Sequence, residues 1–273
     1  MVEIPGGDYA TARPTISDMH AHAWKFVCRY LRDLAKANGD KSLSPAEARL
    51  LWANGIDVVS NDETTGEQGL TGYDGGRRDA TNAHQAHLRC GGPPGRPIYF
   101  SPWDHDPALL TSGEWSTMAN YLRGCASVLG PGRVGLYGGR RMLTWAFDNR
   151  LCAYGWQAAG WAHGGVEPRA HIIQHVGSPI PDTDTDTAVK ADYGQWHYGH
   201  QTDWSDMATR DEVKQAVTDA LAEFGKGQGV AAHTDVLAVL GDQPTRPKNL
   251  TSIYDMVRDL HDLIPPPPPP PPE

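Results

Sequence analysis

The chain has 273 residues, 39% of them hydrophobic, with a formal net charge of −9. That is enough for one large domain with a real core, or one domain and a small appendage. The acidity excludes nucleic acid or an anionic membrane as the main partner, because both need a basic face.

Short apolar runs predict strands over 2–8, 25–30, 56–61, 97–103, 133–138, 152–157, 171–176 and 187–193. Between them, helices are predicted over 15–23, 45–54, 76–90, 113–129 and 140–149. In 45–54, Ser44 can cap, Pro45 fits the first turn, Glu47 can complete a capping box and Gly55 closes the end. Ala48, Leu51 and Trp52 form its apolar face. In 113–129, Trp115, Met118, Ala119, Leu122 and Val128 are the expected buried residues, and Gly130-Pro131-Gly132 stops the helix. Alternation of this kind predicts a (β/α)8 TIM-like barrel over about 1–204, with reduced late helices; an open doubly wound sheet is the alternative. After Trp204 the pattern changes. Thr209-Arg210-Asp211-Glu212 can cap a helix striped by Val213, Ala216, Val217, Ala220, Leu221 and Phe224, and a second stripe runs through 250–264. This 205–264 extension reads as an oligomerisation or assembly segment. The prolines of 265–272 form a stiff polyproline II tail.

The start of the sequence has no basic, apolar leader, and no run approaches the ~18 apolar residues of a membrane span. The expectation is a chain made in a cytosol that leaves it by lysis or inside a particle. Cys28, Cys90, Cys125 and Cys152 form no CxxC pair and read as buried thiols.

Polar residues recur where strands should end: Asp8, Arg29, Glu63, Asp104 and Asp106. In a β/α barrel such positions converge on one mouth, where the chemistry occurs. In an extended chain Asp104 and Asp106 would share a side, so one could stay protonated while the other is an anion. A turn leading to Pro107, or a helix cap, is the structural alternative. Arg29 could pair with a cleft acid or form a structural ion pair. Tyr137, Trp156 and Gln157 end later strands and suit sugar rings or a barrel core equally. Asp182, Asp184 and Asp186 alternate with threonines, which fits a strand or, more commonly, an exposed loop. Asp79 reads as structural. His84/His87, His171/His175 and His197/His200 lack the spacing of a zinc site, so no metal or cofactor is expected.

Gly7-Asp8-Tyr9, Phe26-Val27-Cys28-Arg29-Tyr30-Leu31, Lys41-Ser42-Leu43-Ser44-Pro45-Ala46-Glu47, Val58-Val59-Ser60-Asn61-Asp62-Glu63, Pro97-Ile98-Tyr99-Phe100-Ser101, Asp104-His105-Asp106, Val134-Gly135-Leu136-Tyr137-Gly138-Gly139 and Ala191-Asp192-Tyr193-Gly194-Gln195-Trp196 occur in that order. So arranged, over about residues 3–200, the chain resembles the glycoside-hydrolase-like barrel domain of actinobacteria and their phages, related to Chalaropsis-type muramidases. The resemblance implies a cell-wall-directed, phage-borne protein acting on or gripping peptidoglycan. A virion tail component is favoured over a free endolysin or a non-catalytic module. It implies Asp106 as general acid, with Asp104, Glu63 and Asp8 beside it and Asp184 or Asp186 as a late acid. Arg29, Tyr137, Trp156 and Gln157 complete the expected substrate-binding set. Two departures from the pattern are an Asp at 106 where muramidases have Glu, and Ser101-Pro102-Trp103 ahead of Asp104. Wall glycan, virion subunits or further copies of the chain are the expected partners.

Overall fold

The computed structural model describes residues 2–32, 40–163 and 165–197. The predicted 205–264 helices and the polyproline tail lie outside the described residues.

Eight strands close a barrel: β1 (Ile4–Tyr9), β2 (Phe26–Tyr30), β3 (Asp57–Asp62), β4 (Ile98–Phe100), β5 (Val134–Gly138), β6 (Tyr154–Gln157), β7 (Ile172–His175) and β8 (Thr183–Ala188). The order around the ring is β2-β1-β8-β7-β6-β5-β4-β3, and β2 pairs with β3 to complete it. All neighbours are parallel except β8, which runs antiparallel to both β1 and β7. A short strand β9 (Gln195–Trp196) pairs with Val58 and Val59 of β3. The expected barrel is therefore present, with a mixed sheet.

The helices are α1 (Ile16–Ala21), α2 (Pro45–Ala53), α3 (Gly72–Arg89), α4 (Ser112–Leu129) and α5 (Arg140–Asp148). None follows β6 or β7 among the described residues. Capping boxes start α1 (Thr15 with Asp18) and α4 (Thr111 with Glu114). Ser44 caps α2 as expected, but Glu47 does not complete the box, because its carboxylate is bound to Arg29. Trp52 is exposed rather than packed, and Tyr121, Cys125 and Leu129 replace Val128 on the buried side of α4. Gly55 and Gly130 take left-handed conformations at the ends of α2 and α4.

Strand alternation sorts the core. Phe26, Cys28, Val59, Tyr99, Trp156, Ile172 and Ala188 fill the barrel. Val27, Val58 and Tyr9 point outward to the layer of α1 and α2. Ile98, Phe100, Val134 and Leu136 face α3, α4 and α5. Helices α3 and α4 approach closely: a Cβ on Gly124 would meet the Tyr73 carbonyl oxygen at 2.1 Å, and one on Gly76 the Tyr121 carbonyl oxygen at 2.0 Å. The four cysteines are free and buried.

The last strand corrects the sequence reading. Residues 183–188 are strand, where a loop was the commoner expectation, and 189–193 are not. Its β-branched threonines suit extended backbone, and the alternation sends Asp184 and Asp186 inward with Ala188.

Candidate active site

The inward residues at the C-terminal ends of the parallel strands, and those in antiparallel β8 that stand beside them, converge on one mouth. Asp8 comes from β1, Tyr30 from β2, Glu63 from just past β3, Asp104 from the loop after β4, Tyr137 from β5, Gln174 from β7, and Asp184 and Asp186 from β8. The charges of Asp8, Glu63, Asp104 and Asp186 all act on the Tyr137 hydroxyl, and those of Glu63, Asp8 and Asp104 on that of Tyr30.

Asp8 is the deepest of the strand-end acids. Its backbone stands level with Cys28, which is level with Val59, whereas Glu63 lies four residues further along β3. On the other side of β1 the ladder sets Asp184 opposite Asp8 and Asp186 opposite Gly6. Asp8 Oδ2 accepts from Gln174 Nε2 at 2.8 Å, and Gln174 Oε1 accepts from the Tyr137 hydroxyl at 3.0 Å. The phenol thus fixes which way the amide faces. Asp186 Oδ1 accepts from Trp156 Nε1 at 2.8 Å, while its Oδ2 is buried with no donor to accept from.

This geometry sets the protonation. Burial pushes the Asp8 carboxyl up from 3.8 to about 6; Gln174 pulls against that, and the Asp184 charge adds to it. Burial, then the Asp8 charge, drives Asp186 well above the ordinary range. A protonated Asp186 donates to Asp8, which also satisfies its otherwise bare oxygen. Burial raises Glu63 too, against the pull of Lys41, whose Nζ lies 3.1 Å from Oε1 and 4.2 Å from the Tyr30 ring centroid. The mouth therefore gathers acids of which burial pushes up three, Asp8 to about 6 and Asp186 and Glu63 in the same direction. Acid–base cleavage of a glycosidic bond uses neighbouring carboxyls of which one carries a proton.

Four sequence expectations change. Asp106 is turned away from the mouth. Strand β4 ends at Phe100, so the alternation that would aim Asp104 and Asp106 together does not reach them. Asp106 instead caps the turn 107–109, accepting from the Ala108 amide at 2.8 Å, with His163 Nε2 3.2 Å from Oδ2. That amide holds its carboxyl below the usual range, the wrong direction for a proton donor at neutral pH. Arg29 is fully buried on the outer face of β2. Its guanidinium binds Glu47 at 2.8 Å, the Tyr9 and Lys41 carbonyls, and the Tyr9 ring. Gln157 also faces outward, where it ties Gly165 and Glu167 to β6. Trp156 faces inward but is 2% exposed, so it holds Asp186 and offers no face to a sugar. Tyr30 and Gln174 were missed. Each lies two residues beyond an inward apolar residue, Cys28 and Ile172, and that period was the signal available. Asp79 is structural as expected: it meets Arg32 at 3.4 Å and Tyr121 at 3.1 Å.

Among the described residues, no group of three or more His, Cys, Asp or Glu is placed to hold a metal ion, and no helix is long and apolar enough to cross a membrane.

A closed β/α barrel that gathers carboxylates at the strand ends defines a glycoside hydrolase-like protein. Comparison with known families makes this specific. Residues 17–236 match the Rv2525c-like, glycoside hydrolase-like domain, and the chain belongs to that family. It is 29% identical over 202 residues to a Mycobacterium tuberculosis protein named "Putative peptidoglycan hydrolase Rv2525c", covering 69% of this chain and 82% of that one. The crystal structure of the Tat-secreted M. tuberculosis protein Rv2525c in complex with HEPES superposes with a TM-score of 0.64 at 28% identity, over 70% of this chain and 98% of that one. An uncharacterized B. stearothermophilus protein shares the fold, with a TM-score of 0.51 at 18% identity over 68% of this chain and 95% of that one.

Proposed function

We propose that the barrel mouth binds the glycan strands of bacterial peptidoglycan and cleaves a glycosidic bond in them. The observation that carries this is the paired carboxyl of Asp8, held at about 6 by burial and surrounded by Glu63, Asp104, Asp184 and Asp186. The name of the M. tuberculosis relative supports the substrate class. Asp8 is the group that takes up and gives the proton, at about 6, positioned by Gln174 and by Asp186, which donates to it. Glu63 and Asp104 face the sugar from just past β3 and β4, and Tyr30 and Tyr137 line the walls.

A second reading, a module that grips wall glycan without cutting it, has one observation in its favour. With Asp106 turned away, Asp104 lacks the second acid of its pair. Incubation of purified actinobacterial peptidoglycan with the full chain separates the two, with mass spectrometry of the soluble fraction. New reducing-end muropeptides establish a glycosidase. Retention on the wall without fragments establishes the binding module.

Placement in a phage tail belongs to the same proposal and rests on the amphipathic 205–264 pattern and the proline run. A full-length oligomer in light scattering supports it, and a monomer removes that support.

A further inference from the structure

Beside the mouth lies a second concavity, a groove of about 740 Å³ whose wall includes Asp106, Arg140, Arg141, Trp145, Asp148 and His163. The chain leads into it from the mouth at two points. Asp104 faces the mouth and Asp106 lines the groove; Tyr137 stands over the mouth and Arg140 opens α5 three residues later.

We propose that this groove binds the carboxylate-bearing peptide branches of the strand whose sugars occupy the mouth, a proposal that rests on the peptidoglycan reading above. The charges support that assignment. Both acids on the wall are engaged: Asp106 with the Ala108 amide and His163, Asp148 with Arg169 at 2.8 Å. Arg140 and Arg141 are exposed, and among the described residues neither stands within salt-bridge distance of a carboxylate, although the Arg141 charge reaches Asp106. Arg141 instead lies 5.6 Å from the centroid of the Trp115 ring, which packs edge-on against Trp145 at 4.6 Å. Two exposed guanidinium forks, Arg140 against Gly165 and Arg141 beside the Trp115–Trp145 pair, match a peptide that carries carboxylates between short apolar side chains.

The mouth makes such a groove necessary. Peptidoglycan sugars are close to neutral, but the peptides hanging from them are anionic. Of the five acids around the mouth, those that are ionised repel those peptides at short range. Cations placed just outside the rim draw the branches away from the acids while the sugars enter.

The test uses the full chain and a fluorescent muropeptide stem released from the wall by an amidase, with binding followed by anisotropy. Wild type is expected to bind saturably and more weakly as salt rises, and Arg140→Gln/Arg141→Gln to lose roughly tenfold or more in affinity. Both side chains are exposed, so the variant is expected to fold. In parallel, the variant is expected to lose retention on intact peptidoglycan yet match wild type on glycan strands stripped of peptide. No stem binding by wild type, or equal binding by the variant, overturns the proposal. Arginine-dependent stem binding, with neither wall form retained nor cut, leaves the groove standing and removes the reading of the mouth.

Discussion

Asp186 stands diagonally across the β1–β8 ladder from Asp8, and burying the two carboxyls together pushes both up. Two buried acids in contact cannot both ionise cheaply. A proton stays on the pair because burial penalises the second charge, against the pull of the Gln174 and Trp156 donors and of the Arg29 charge.

Asp8→Asn is expected to remove turnover by roughly 10²–10⁴-fold, the usual share of a positioned acid or base, while leaving the fold intact. Its stability signature is separate. In wild type the folded carboxyl titrates at about 6 and the unfolded one at 3.8. The folded chain therefore holds a proton that the unfolded chain has released. That contribution is complete below pH 3.8 and is lost as pH rises through about 6. Relative to wild type, the variant should gain stability above pH 6, on the order of 3 kcal/mol. Urea unfolding at pH 4 and pH 8 measures it.

Tyr137→Phe frees the Gln174 amide to turn its oxygen toward Asp8. The hydrogen bond from Gln174 lowers the Asp8 carboxyl, so its loss moves that titration upward. The alkaline limb of the pH–rate profile, where the proton-carrying Asp8 ionises, is expected to shift toward higher pH, with substrate affinity little changed. An unshifted profile removes Gln174 from the positioning role.

Glu47→Ala leaves the Arg29 guanidinium buried with its carboxylate partner gone. Breaking such a pair costs about 3–5 kcal/mol. Chemical denaturation should show that loss, and wall binding measured well below the midpoint should be unaffected.

His87 is buried between the Ser60 hydroxyl at 2.8 Å and the Pro93 carbonyl at 2.9 Å, and burial pushes it down from 6.5 to about 3. Here the unfolded chain takes up the proton first. The stability this neutral ring contributes is present above pH 6.5 and is lost as pH falls toward 3. His87→Gln should flatten that acid limb, seen as a smaller drop in thermal midpoint between pH 7 and pH 4.

The barrel was legible in the sequence because its parallel strands are apolar runs punctuated by capped helices, as at Ser44 and Gly55. Strand β8 was not, because its inward side lines an acid cluster and not a hydrophobic core, so Thr183–Ala188 carries little apolar signal. Asp8 and Glu63 were legible as polar residues directly after apolar strands. Asp106 misled because period-two reasoning holds only while the chain is extended, and β4 stops at Phe100, two residues before Pro102. Arg29 misled for the complementary reason. Strand β2 continues through Tyr30, so the arginine falls on the outward phase and Tyr30 on the inward one.

The most direct test of the account is a three-way digestion of purified peptidoglycan by wild type, Asp8→Asn and Asp106→Asn, with released reducing ends followed from pH 5 to pH 8. The account predicts that Asp106→Asn, whose carboxylate lines the groove and not the mouth, still yields fragments as wild type does, and that Asp8→Asn yields none. Fragments from Asp8→Asn at the wild-type rate, or their loss in Asp106→Asn alone, would contradict it.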